Sequence, residues 1–280
     1  MATRIWTGSA DNTTFMTAGN WAPSGAPAND DTLIINASSD SITGAVTGLT
    51  GITLKVAEGF TGDIGSSTTY LDLDGPLLEF ASGGNAAYIT GTWTDVRVSG
   101  GSRSSDFLQL KGNASTAITN LNCNRLQGTV TLNSSADCTT ITQTGTPVGE
   151  IDIKSGVGSL TTITSSEGVI KLASTVSGAV NVFGGRVTVS GTASVGTLEI
   201  DGGGVAEYNS SGTITTLTVF DGVFSARDNG SASYTVTNAT VHSAGRLDVD
   251  SALNNGIYTN PISMLGGTAR FPVGSTITLA

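Results

Sequence analysis

The chain has 280 residues, of which 38 are glycine and only 12% are charged, against ~25% in ordinary globular domains. Its 12 basic and 22 acidic residues leave a net charge of −10 at pH 7, which repels phosphate backbones and argues against nucleic-acid binding. No run of roughly 18 apolar residues is present to span a membrane as a helix, and no long stretch repeats apolar residues at helical spacing. β-Branched residues flanked by Gly, Ser and Asn predict instead an all-β protein of many short strands. Regularly placed Val, Ile and Leu supply the buriable face that a disordered Gly/Ser/Thr-rich chain lacks.

The chain opens on a segment, residues 1–35, that does not repeat. After Met1, the stretch Ala2 to Trp6 runs straight into polar residues without the apolar core of an export signal, which predicts synthesis and assembly in the cytoplasm. Aromatic and proline residues concentrate here: Trp6, Phe15, Trp21, Pro23 and Pro27. In order come Trp6-Thr7-Gly8, Asp11, Phe15, Asn20-Trp21, Pro27, Asp31 and a strand at Leu33-Ile34-Ile35. This pattern, W-x-G…D…F…N-W…P…D-x-L-x-I, resembles the opening of many repetitive β-helix proteins. Among these are phage virion proteins, capsid decoration and tail proteins included, and the passenger domains of bacterial autotransporters and adhesins.

A solenoid must cover its open end or invite strand addition by other chains. Trp6 and Trp21 are therefore expected to cover the first coil's core, with Asn20 and Asp31 bonding turn backbones. A second role is compatible with that one: Trp6, Phe15 and Trp21 as the partner-binding residues through which the segment attaches to a particle.

Residues 36–127 read as irregular coils. Strands are expected at 32–35, 52–56, 70–73, 77–80, 96–98 and 107–110, with drifting spacing, and the Gly- and Ser-rich stretches 57–70 and 99–106 as loops.

From residue 128 to 280 one phrase recurs: Gly, any residue, apolar, any residue, apolar. It appears at Gly128, Gly149, Gly168, Gly185, Gly204, Gly222, Gly245 and Gly267. The alternation predicts half-buried strands with the second and fourth positions inward. Glycine stands where the corner requires positive φ or close backbone approach. A strand-built period near twenty is what a β-solenoid coil needs, each coil burying its apolar residues on the next at ~4.8 Å, so that eight coils span roughly 40 Å. The strict six-residue period of a left-handed hexapeptide helix is absent, which favours a right-handed parallel β-helix. A sandwich or jelly roll remains the rival architecture.

Chemistry is sparse. Carboxylates two residues apart occur at Asp72/Asp74, Glu150/Asp152, Glu199/Asp201 and Asp248/Asp250, but alternating acids are what any solvent-facing strand shows. Catalysis by such pairs needs them clustered with basic partners. Calcium at such a face is conceivable, yet Asp201-Gly202-Gly203-Gly204 is only a fragment of the calcium-binding nonapeptide repeat. The sole histidine, His242, has no acid-base partner near it in sequence. Cys123 and Cys138 read as two reduced core thiols, with a disulfide as the alternative, and zinc would need more ligands. No catalytic, cofactor or metal site is expected.

The resemblance implies a non-enzymatic structural component of a bacteriophage virion, a capsid decoration or stabilising protein or a head or tail fibre-like protein. It further implies contacts with a major capsid or tail protein, no membrane partner, and self-association, as a trimer. Export-dependent autotransporters and adhesins carry a leader and a membrane barrel that these 280 residues do not show. A surface adhesin or glycan-binding β-helix is the alternative, and a polysaccharide-degrading β-helix enzyme the second alternative.

Overall fold

The computed structural model describes residues 1–43, 46–111, 117–145, 148–226, 233–249 and 256–271. Apart from one antiparallel pairing in the opening segment, its strands run parallel and pair from one coil to the next as a β-solenoid of about ten turns. One 3-10 turn, Ala18–Asn20, is the only helical element among the described residues. The sandwich alternative is thereby excluded. Contacts divide the chain into two compact units, residues 1–139 with 146–151 and residues 140–145 with 152–280.

In the first unit one ladder stacks Thr3–Trp6, Thr32–Ile35, Thr53–Val56, Gly75–Phe80, Trp93–Ser99 and Ala117–Asn124, all parallel. The register places Leu33, Leu54, Leu78, Val96 and Leu121 over one another, each 0% exposed. A second inward column runs Ile35, Val56, Phe80, Val98 and Cys123. The opposite ladder stacks Val46–Leu49, Leu71–Leu73, Ala86–Thr90, Asp106–Lys111 and Thr129–Leu132. The strands expected at 32–35, 52–56, 70–73, 77–80, 96–98 and 107–110 are present within a few residues. Those at Val46–Leu49, Ala86–Thr90 and Ala117–Asn124 were not legible, because their apolar residues are few or broken by Gly, Ala and Asn. The loop expected at 57–70 holds no strand, yet Phe60 and Ile64 turn inward as core through isolated bridges.

In the second unit the register is tighter. Ile141, Ile163, Val180, Leu198, Leu217, Ala239 and Ile262 form one inward column. Ile170, Val187, Ala206, Phe224 and Leu247 form another on the opposite ladder. These are the second positions of the Gly-x-apolar-x-apolar phrase, as the alternation predicted. Asp250 and residues 272–280 lie outside the described residues. A buried aliphatic side chain contributes roughly 1.5–3 kcal/mol, so these columns carry most of the stability.

The phrase glycines stand at close backbone crossings. A Cβ on Gly149 would lie 1.9 Å from the carbonyl oxygen of Gly128 in the coil below. Gly185 has φ +68°, and a Cβ there would lie 2.4 Å from the oxygen of Gly168. Gly149→Ala is therefore expected to destabilise the chain by about 1–3 kcal/mol, the cost of forcing an atom into a packed site, seen as a lowered Tm in thermal unfolding.

Cys123 and Cys138 are both buried and form no disulfide. Burial first, and the neighbouring Cys138 second, push the Cys123 thiol far up, and a thiol held protonated is unreactive. Both cysteines should resist a thiol-specific reagent in the native protein and react fully in denaturant. Fast labelling of the native chain would contradict this burial.

Candidate functional site

The opening segment is built by antiparallel pairing of Thr3–Trp6 with Trp21–Ala22 and parallel pairing with Thr32–Ile35. This folds Trp6, Phe15 and Trp21 into one cluster, with Trp21 edge-on to both others at 5.2 and 5.1 Å and Trp6 stacked on Phe15 at 6.5 Å. Their exposures are 2%, 1% and 2%, and the Trp21 indole N–H donates to the Phe15 carbonyl at 2.6 Å. The three rings therefore form the interior of the cap. The expectation that they bind a partner directly needs correction on this point, because buried faces meet each other and not a second molecule.

Polar residues hold the cluster. Asn20 is fully buried; its carbonyl oxygen accepts from the Ala10 and Asp11 amides, and its amide donates to Asp11 and to the Thr14 carbonyl. Asp11 also accepts from the Thr13 and Thr14 amides and the Thr17 hydroxyl. The Thr14 amide first, then Asn20 and the Thr13 amide, hold its carboxyl well below the usual range. Asp31 accepts from the Ala2 and Ala28 amides and from Arg4 at 2.8 Å. Burial works against its charge, but Arg4 and the two amides prevail, and its carboxyl is also held low. Sequence reasoning found Asn20 and Asp31 but missed Arg4, whose role depends on the parallel pairing that brings Thr3–Trp6 beside Thr32–Ile35.

Both carboxyls are depressed on folding, so their stabilisation is present above their unfolded values near 4 and is lost as pH falls through the folded ones. Asp31→Asn strips the charge from a part-buried pair and its charge-assisted hydrogen bonds, at a cost of about 1.5–3 kcal/mol. The variant should melt lower at pH 7 and show a flatter Tm between about pH 5 and pH 3. A parallel shift at every pH would show that Asp31 carries no proton-linked stability.

The described carboxylates of these pairs are engaged as follows. Burial first, and the Asp74 charge second, raise the Asp72 carboxyl, while Asp74 accepts from the Thr92 amide as a turn cap. Asp152 pairs with Lys154 at 2.5 Å, and the buried Asp248 with Arg246 at 2.6 Å. Asp201 accepts from the Gly202 amide. Among the described residues no three His, Cys, Asp or Glu side chains gather in a way that could hold a metal ion. Two shallow clefts are lined by self-paired charges. In the first unit Lys55, Glu79 and Arg97 face Ile34 and Ser99, with Lys55–Glu79 at 2.8 Å and Arg97–Glu79 at 3.7 Å. In the second unit Asp152, Lys154 and Lys171 face Thr188 and Ser190.

The aromatic residues of the repeats separate sharply. Tyr208, Phe224, Tyr234 and Tyr258 are buried, with Tyr208 and Tyr234 edge to face at 5.7 Å and burial raising both hydroxyls to about 12. Phe183 and Phe220 are exposed, at 42% and 37%, and His242 stacks on Phe220 with centroids 4.3 Å apart. In the first unit Tyr70 and Tyr88 meet edge to face at 5.6 Å, with the Lys111 ammonium 5.2 Å above the Tyr70 ring.

Comparison of the chain with family models, with curated proteins and with solved structures finds no match.

Proposed function

We propose that this chain is a non-enzymatic structural component of a bacteriophage virion, a capsid decoration or stabilising protein or a fibre-like part of the head or tail. The observation that carries the reading is how the opening motif is used. Trp6, Phe15, Trp21, Asn20 and Asp31, the residues by which the opening resembles those of β-helix virion proteins, are consumed in building a cap on stacked coils. Further support comes from the outward positions, occupied by Thr, Asn, Ser and self-paired charges such as Arg186 with Glu207. Such a surface suits a part whose work is to be stable and to pack. Attachment then belongs to the outer face of the cap and not to its buried rings.

Mass spectrometry of purified particles, with the neighbouring genes inspected for capsid, portal and terminase functions, tests this. The chain is expected in particles at a stoichiometric level. Its absence from particles, together with recovery from cell envelopes, would transfer the assignment to a surface adhesin or glycan-binding module. One place favours that second reading: Tyr70, Tyr88 and Lys111 form a half-exposed aromatic and cationic group beside Asn133. Tyr88→Ala would then abolish glycan retention without changing Tm.

A further inference from the structure

The register of the second unit aligns a column that the repeat phrase does not contain. Val182 pairs with Ile200, Ile200 with Val219, Val219 with Val241, and Val241 with Met264. The residues that follow these are Phe183 and Asp201, just past their strand ends, Phe220 and His242, within the long strands Thr213–Ser225 and Tyr234–Asp248, and Leu265, the last residue of Ile262–Leu265; His242 pairs with Leu265 and stacks on Phe220. Phe183, Phe220 and Leu265 are exposed at 42%, 37% and 55%, and Met264 beside them at 38%. Asp201 and His242 are half-buried. Aromatic and aliphatic residues left in water along one line cost free energy unless something covers them.

The order along the column is complementary about its centre, Phe220. One coil to either side stand an acid, Asp201, and an imidazole, His242; two coils to either side stand the apolar Phe183 and Leu265. Coils repeat at ~4.8 Å, so a two-fold axis through Phe220, perpendicular to the column, brings the positions on either side opposite one another, with the register shift between Val219 and Asp221 at the axis. We infer that this line is a contact between two copies of the chain lying antiparallel, as an isologous interface requires. Phe220 then meets Phe220 of the other copy, Phe183 meets Leu265, and Asp201 meets His242 twice. The imidazole donates an N–H to the carboxylate in either protonation state. A parallel arrangement would instead set Asp201 against Asp201. One like-charge meeting remains, Asp221 with its copy beside the axis, at an exposed position that salt screens. This contact is independent of whether the chain belongs to a particle, and it differs from the three-fold arrangement that resemblance implies.

Sedimentation velocity of the full-length chain over a range of concentrations tests it. The expected result is a monomer–dimer equilibrium. Phe220→Asp should abolish the dimer with circular dichroism and Tm unchanged. Asp201→His and His242→Asp should each weaken association by at least roughly tenfold, and the double variant should restore it, because the swap re-forms both pairs. A chain monomeric at every concentration, a trimer as the principal species, association that survives Phe220→Asp, or a double variant no better than the single ones would overturn the inference. So would retention of the monomer on a glycan array that Phe220→Asp removes, since the column would then be a sugar platform.

Discussion

Everything in this fold depends on the register between coils. Backbone hydrogen bonds run from each strand to the strands above and below, so each inward side chain rests on its counterpart one turn away. Leu33, Leu54, Leu78, Val96 and Leu121 illustrate the consequence: the core is a set of columns and not a three-dimensional jigsaw. A slip of one residue would invert every side chain of a coil, from core to water. The phrase glycines protect the register, since at Gly149 and Gly185 no side chain could be admitted without pushing adjacent coils apart.

The same constraint governs the surface. Because outward residues are stacked as strictly as inward ones, whatever chemistry a coil presents is brought beside that of its neighbours. Here this yields ion pairs between rungs, such as Lys55 with Glu79 and Arg186 with Glu207, each worth little on an exposed face. It also yields the line from Phe183 to Leu265. A surface of this kind offers long, regular contacts.

The cap answers the problem that stacking creates. A first coil exposes its core and its strand edge together. Thr3–Trp6 covers part of that edge, and the Trp6, Phe15 and Trp21 rings cover the core, held by Asn20, Asp11, Asp31 and Arg4.

The sequence by itself determined the all-β class, the coil period and the inward positions of the second half. Alternation behind a recurring glycine is a local pattern that only a stacked strand satisfies. It also marked the cap and its residues Asn20 and Asp31. What tertiary structure decided was everything set by proximity between coils. Arg4 finds Asp31 only through the pairing of Thr3–Trp6 with Thr32–Ile35. Strands such as Ala117–Asn124, too polar to read alone, are held by neighbours already in register. Phe183, Asp201, Phe220, His242 and Leu265 are scattered along the chain, without a shared motif. They form a line because each follows a residue of one inward column, and variable coil lengths hide that fact until the rungs are aligned.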